Sequence, residues 1–276
     1  MKKTLIALMA LAGVACGDTY WNFEGGSYTS AGDAAYTGSA TGTVTSVTTT
    51  VTTGSVLGNS ATTALGGSLS FTDGSYLNVS NASALTAKLG TGSSKTGDFT
   101  IMAYVNFSEI VTNDGEKGYF FFGTGDSNGG GIALGVLANQ TDYCPGSSKI
   151  DFLVKGQAHC VWDTTVAANE WNHLAFSYSS SSNEITLFVN GVSVGTTSAG
   201  NSYGAPNNNT IHIGAGSTNS GQDDFKGQVA DLRIITGQAL DADAVKWHAA
   251  TLLPEPTTAT LSLLALCGLA ARRRRK

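Results

Sequence analysis

Charged residues are scarce in this sequence, and basic residues most of all. Asp, Glu, Lys and Arg together make up 13% of the 276 residues, with 15 Lys and Arg against 20 Asp and Glu. Lys2, Lys3 and the last five residues supply seven of the basic side chains and none of the acidic ones, so the chain between them has a net charge of −12. Because such a surface repels phosphate backbones, we expect no nucleic-acid partner. The acid excess suits a protein that stays soluble outside the cell.

Long runs of helix-favouring residues are also missing. Short alternating segments recur between turn residues, and Phe99–Phe107 places five apolar side chains on one face of a strand. Asn190 and Gly191, between two such segments, predict a type I′ hairpin turn. The one predicted helical turn spans residues 241–248, with Asp241 as its cap. Many strands without a βαβ rhythm predict an all-β fold, an antiparallel two-sheet sandwich or jelly roll.

No apolar run reaches the roughly 20 residues that a spanning helix needs. Residues 1–17 begin with Met1, Lys2 and Lys3, continue with a short apolar stretch and end among small residues, which is typical of a signal peptide. Cleavage after Ala15 or after Gly17 fits equally well, and a lipoprotein that uses Cys16 is the weaker alternative. We therefore expect an exported protein.

The last segment, residues 251–276, has a three-part order. A Pro-Glu-Pro motif precedes a 15-residue apolar run and then a basic cluster; the motif is Pro254, Glu255 and Pro256, and the cluster is Arg272, Arg273, Arg274, Arg275 and Lys276. Cations after an apolar run hold that end in the cytoplasm. This order resembles the PEP-CTERM sorting signal of Gram-negative bacteria. The resemblance implies a transient inner-membrane anchor that an exosortase removes, leaving the protein at the cell surface or outside the cell. A simple membrane anchor is the alternative.

Cysteine is rare, and two of the four cysteines lie in the terminal segments. Cys144 and Cys160 are the pair left in the body of the chain. Because an exported protein meets an oxidising environment, we expect these two to form a disulfide. A metal site is the alternative, but His159 is the only further ligand nearby in the sequence.

Three segments of the body resemble the laminin G-like domains of the concanavalin A-like superfamily. They are the strand at residues 99–105, the hairpin at residues 170–192 and the closing region at residues 211–240, so the resemblance covers roughly residues 68–249. It implies one jelly-roll domain over residues 18–250. The chain departs from the family pattern at Ile235, where the family has an aromatic residue, and at Asp231, which stands alone where the family has an acid pair.

The resemblance leaves function open, because this sandwich hosts lectins, glycosidases and adhesion modules. The Glu-x-Asp-x-Glu motif of the superfamily's hydrolases is absent from the chain. We therefore expect no enzyme, but a surface module that binds a carbohydrate or glycoprotein through the rim loops of the sandwich. A structural or adhesion protein with no small ligand is the main alternative.

Aromatic residues in predicted loops are the candidate ligand-binding residues. Sugar rings stack on aromatic faces that lie beside polar side chains. Tyr143 and Trp162 flank the cysteine pair, and Tyr203 lies in a Gly- and Asn-rich segment. Ordinary loop packing is the alternative role for all three.

A bound Ca²⁺ is also implied by the superfamily resemblance, since its sandwiches often tie the first strand to the last with calcium. Glu24 on the first strand and Asp231 on the last are the candidate ligands, with Asp73 as a third. Two or three carboxylates suffice where backbone carbonyls complete the shell. Solvated acids or turn caps are the alternative.

Overall fold

The structure, a computed structural model, describes residues 17–89, 97–113, 115–124, 131–154, 158–199, 210–216 and 225–251. Nearly all of the predicted signal peptide and of the predicted sorting signal therefore lies outside the described residues. Among the residues that are described, no helix is long and apolar enough to cross a membrane.

Strands dominate the described chain, as the alternating sequence segments predict. The strands are β1 (Asp18–Trp21), β2 (Ala31–Gly32), β3 (Gly38–Thr41), β4 (Val44–Thr52), β5 (Ala64–Phe71), β6 (Tyr76–Val79), β7 (Phe99–Phe107), β8 (Lys117–Thr124), β9 (Ile132–Ala138), β10 (Ser148–Val154), β11 (Ala158–Trp162), β12 (Trp171–Ser179), β13 (Glu184–Val189), β14 (Val192–Ser198), β15 (Ile211–Ile213) and β16 (Gly227–Thr236). The helices are α1 (Thr53–Leu57), α2 (Ser83–Thr86) and α3 (Ala242–Ala250), with 3₁₀ turns at Glu24–Gly26 and Ala87–Leu89.

Two antiparallel sheets face each other across one core, which confirms the predicted sandwich. Sheet A has the order β14-β13-β12-β7-β16-β1-β2, and β5 also pairs with β16 and carries β4 at its other edge. Sheet B has the order β11-β10-β9-β8-β15-β6-β3. The first strand lies next to the last, because β1 pairs with β16.

Strand β7, at the centre of sheet A, is buried on both of its faces. Its odd-numbered residues from Phe99 to Phe107 point into the core, as predicted. The intervening Met102 packs on the outer face with Phe188 and Val245, and Tyr104 packs there with Ala249. Helix α3 therefore covers part of the sheet that simple alternation would leave open to solvent.

Both local turn predictions are confirmed. Asn190 and Gly191 have φ values of 52° and 75°, the two positive values that a type I′ turn requires. Asp241 caps α3, because its Oδ1 accepts a hydrogen bond of 2.9 Å from the Ala244 amide. The helix runs two residues beyond the predicted turn, to Ala250.

The predicted disulfide is wrong, since Cys144 and Cys160 are both free and buried. The Cys144 thiol donates to the carbonyl of Leu137, 3.4 Å away on β9. The Cys160 side chain points into the core, and its thiol lies 3.5 Å from the carbonyl of Ser198 on sheet A. The two thiols contact different strands, β9 and β14, instead of each other. Their spacing of 16 residues in the sequence therefore did not indicate that they pair.

Candidate functional site

One of the three predicted ligand-binding aromatics, Trp162, is not an exposed loop residue in this structure. Trp162 is only 5% exposed, so the prediction of a loop aromatic is wrong there. Its indole Nε1 donates to the carbonyl of Gly195 at 3.0 Å, and its ring packs edge-on against Phe176. Trp162 therefore joins the edge strands β11 and β14 of the two sheets. Tyr203 lies outside the described residues.

Tyr143 does lie at the surface, in the loop between β9 and β10. Its ring is half-buried and packs against the ring of His159 on β11, with 4.8 Å between the ring centroids. Asp142, next to it, is exposed. We call Asp142, Tyr143, His159 and Asp151 the Tyr143 corner.

A buried carboxylate orients the imidazole of this corner. Asp151 on β10 is fully buried, and its Oδ2 lies 2.6 Å from Nδ1 of His159. A buried carboxylate must be hydrogen-bonded to be tolerated, so this contact holds the imidazole in one orientation. The Tyr143 ring consequently rests on a fixed support.

The loop that carries Tyr143 is itself held in place. Oε1 of Glu116 accepts hydrogen bonds from the amide and the hydroxyl of Thr141, at 2.9 and 2.6 Å. These bonds lower the pKa of the Glu116 carboxyl. Asn139, at a positive φ of 53°, accepts from the Gly146 amide and donates to the Gly115 carbonyl. Such a loop loses little conformational entropy when a ligand binds.

The three carboxylates predicted to hold Ca²⁺ have different surroundings in the structure. Asp231 is buried, and both of its oxygens are engaged by Arg233. Asp73 is exposed and pairs with Lys226 at 3.3 Å, while Glu24 is exposed in a 3₁₀ turn. Within the described residues, no three His, Cys, Asp or Glu side chains converge as metal ligands would. The described contacts of these acids give no support to the predicted ligand set, which stays a prediction.

Sequence reasoning missed a concave surface on the outer face of sheet A. It has a volume of about 410 Å³ and lies between β12–β14 and the start of α3. We call it the hydroxyl groove; its lining is Ser177, Ser179, Ser182, Glu184, Thr186, Phe188, Ser193, Thr196, Ala239, Leu240, Asp241 and Ala242. The available signal was the spacing of Ser177 and Ser179, which places two hydroxyls on one face of β12.

Comparisons with solved structures return the same sandwich in proteins of very different sequence. Domain 4 of AbnA, a GH43 extracellular arabinanase from Geobacillus stearothermophilus, is 17% identical, with a TM-score of 0.57 over 86% of this chain and 99% of that domain. A botulinum neurotoxin type C structure is 14% identical, with a TM-score of 0.62 over 89% of this chain and 53% of the other. The binding domain of botulinum neurotoxin DC, in complex with rat synaptotagmin II, is 13% identical, with a TM-score of 0.59 over 85% and 51%. The chain thus spans about half the length of these neurotoxin chains.

These levels of identity show the fold alone. No curated protein matches the chain. The family model described as the concanavalin A-like lectin/glucanases superfamily matches residues 71–246, which is more than half of the chain. The chain therefore belongs to the concanavalin A-like lectin/glucanases superfamily.

Proposed function

We propose that this protein is a binding module for a carbohydrate or glycoprotein, and that the Tyr143 corner is its contact surface. The observation that carries the proposal is the half-buried Tyr143 ring, which is supported by His159 and Asp151 and presented by a hydrogen-bonded loop. An aromatic face beside exposed polar groups offers a sugar ring both a stacking surface and hydrogen-bond partners.

The structural relatives support a glycan as the ligand. The AbnA domain was determined in complex with arabinotriose, and botulinum neurotoxin type C interacts with two ganglioside molecules. Those ligands belong to those proteins. They support the proposal because both proteins contain a sandwich similar to this one and both interact with saccharides.

We propose binding without hydrolysis at this corner. Glycoside hydrolysis needs two carboxyl groups that flank the scissile bond. At the Tyr143 corner Asp151 is buried against His159 and only Asp142 is exposed. The described part of the corner thus offers one solvent-facing carboxylate.

We further propose that the protein is exported and then trimmed. The signal peptide at residues 1–17 supports export, and the Pro-Glu-Pro motif with its basic cluster supports exosortase processing and transient anchoring. Extracellular glycans would then be within reach of the Tyr143 corner.

A glycan array of the purified protein tests the binding function. We expect binding to a restricted set of glycans, with each bound glycan recovered uncut after prolonged incubation. Cleavage of a bound glycan would contradict the non-enzymatic proposal. An array with no bound glycan would favour the structural or adhesion alternative.

A further inference from the structure

A row of hydroxyl groups forms the floor of the hydroxyl groove. Ser177, Thr186 and Thr196 are register partners on β12, β13 and β14. The hydroxyl oxygens of Thr186 and Thr196 lie 2.8 Å apart. With strands about 4.8 Å apart, the row is about 10 Å wide, while Glu184 to Phe188 along β13 spans about 13 Å. This floor has the dimensions of a short saccharide.

The walls of the groove are held in fixed positions. The Thr100 hydroxyl, beneath the segment that leads into α3, accepts from the Leu240 amide at 3.0 Å and donates to the Gln238 carbonyl at 3.1 Å. Two residues before Thr100 in the chain, the Asp98 carboxylate accepts from the amide and the hydroxyl of Ser180 at 2.9 and 2.7 Å. The segment before α3 and the turn before β13 are therefore preorganised.

The groove combines three kinds of surface. Phe188 and Leu240 are nearly buried and give it an apolar end beside α3. Hydroxyls, which both donate and accept, cover its floor. Glu184 and Asp241 are exposed carboxylates in the lining, and the lining residues that the structure describes include no Lys, Arg or His. Oδ1 of Asp241 caps the helix, and Asp241 as a whole is exposed in the lining of the groove.

Charge decides which saccharide this lining favours. A uronic or sialic acid would bring a third negative charge next to Glu184 and Asp241. A protonated amine would instead form charge-assisted hydrogen bonds with a carboxylate, which are roughly twice as strong as neutral ones. The cavity volume of about 410 Å³ lies within the range of roughly 300–1,000 Å³ that is usual for small-ligand sites.

We propose that the hydroxyl groove is a second binding site, on the sheet opposite the Tyr143 corner, for a saccharide that carries a free amino group. The hydroxyl floor matches the ligand's hydroxyls, and the two carboxylates bind its ammonium group. Because the groove is open to solvent, binding weakens as the ionic strength rises. The protein would then hold two saccharides on its two faces.

Calorimetric titration of the full-length protein tests this site with three probes: a glucosamine oligosaccharide, the same oligosaccharide fully N-acetylated, and a galacturonic acid oligosaccharide of equal length. We expect the glucosamine oligosaccharide to bind most tightly and the galacturonic acid oligosaccharide not to bind. Equal affinity for the amino and N-acetylated probes, or preference for the acidic probe, would overturn the proposal.

The double variant Glu184→Gln/Asp241→Asn removes both charges and preserves the fold, since Asn caps a helix as well as Asp does. We expect it to bind the glucosamine probe about tenfold more weakly or worse, as expected for losing bonds to a charged group. Asp243→Asn is the matched control, because Asp243 is an exposed acid in the first turn of the same helix but outside the groove. Unchanged affinity in the double variant, or an equal loss in the control, would overturn the site.

Substitution Tyr143→Ala separates this site from the proposed function. It should leave glucosamine binding unchanged, whether or not the Tyr143 corner binds glycans. If Tyr143→Ala abolishes glucosamine binding and the double variant does not, the groove is excluded and the probe binds at the Tyr143 corner.

Discussion

Arg233 and Asp231 form an ion pair inside the protein, two residues apart on β16. The Nε of Arg233 lies 3.1 Å from Oδ1 of Asp231, and its Nη2 lies 2.8 Å from Oδ2. The pairing is possible because Asp231 has a positive φ of 44° at a bulge between β16 and β7. Nη2 also donates to the carbonyl of Thr251 at 2.7 Å, so the pair ties the end of α3 to sheet A.

Removing one partner of this buried pair should be strongly destabilising. Arg233→Met leaves the Asp231 carboxylate buried without its cation, and breaking one side of a buried pair costs about 3–5 kcal/mol. We expect that loss in the free energy of unfolding measured with urea. Lys88→Met, which removes an exposed pair with Asp33 at 3.7 Å, should change the same quantity by about 1 kcal/mol or less. Equal effects of the two substitutions would contradict a buried role for Arg233.

His212 should make the protein sensitive to acid. It is fully buried on the outer face of sheet B, neither of its ring nitrogens is hydrogen-bonded to a described residue, and burial lowers its pKa to about 4. The stability that neutral His212 contributes is fully present above its unfolded-state pKa of about 6.5. It is lost as the pH falls through the folded-state pKa of about 4, because the unfolded state binds the proton at a higher pH than the folded state does.

The substitution His212→Phe isolates that contribution. Between pH 7 and pH 4, we expect the free energy of unfolding of the variant to fall by about 3 kcal/mol less than that of the wild type. His173 and His248 also have pKa values that burial lowers, to about 3 and about 4, so the variant keeps part of the acid response. An unchanged difference between pH 7 and pH 4 would rule out His212 as a source of that response.

Cys144 and Cys160 should titrate as two free thiols in the unfolded protein and react slowly in the folded one. Both are buried, and burial raises the pKa of Cys160 to about 12, which suppresses the reactive thiolate. A thiol reagent applied to protein purified without reductant, with and without denaturant, measures this. Recovery of fewer than two thiols after unfolding would show that the cysteines are oxidised.

The tail should be absent from protein that is recovered at the cell surface. Proline is disfavoured within a helix, so we expect the segment with Pro254 and Pro256 to be open to a protease. We expect the intact mass to correspond to a chain that ends near the Pro-Glu-Pro motif. A species that retains Arg272–Arg275 would support a simple membrane anchor instead.

The features that the sequence predicted correctly are those that depend on neighbouring residues. The alternation of Phe99–Phe107 and the Asn190-Gly191 turn specify a strand and a hairpin almost by themselves. The environments of Trp162 and Cys160 depend instead on the contact between β11 and β14, whose residues are more than 30 positions apart. Local patterns do not contain that contact.

The two candidate sites also differ in whether local sequence patterns indicate them. Tyr143 was predictable because an aromatic residue in a loop rich in polar residues is visible in the sequence. The hydroxyl groove exists only because Ser177, Thr186 and Thr196 come into register across three strands. The pairing of Asp231 with Arg233 was not predicted, because it is only recognisable once the bulge at β16 is known.

The proposed binding surface is tested most directly by the glycan-array profiles of Tyr143→Ala and Tyr143→Phe beside that of the wild type. Tyr76→Ala is the control, since Tyr76 is a half-buried tyrosine on β6 near the other edge of sheet B. Loss of a stacked aromatic ring should weaken binding by about 1–2 kcal/mol or more, which is roughly tenfold. We predict that Tyr143→Ala loses the wild-type glycans while Tyr143→Phe and Tyr76→Ala retain them. A Tyr143→Ala variant that folds and keeps the wild-type profile would contradict the Tyr143 corner as the binding site.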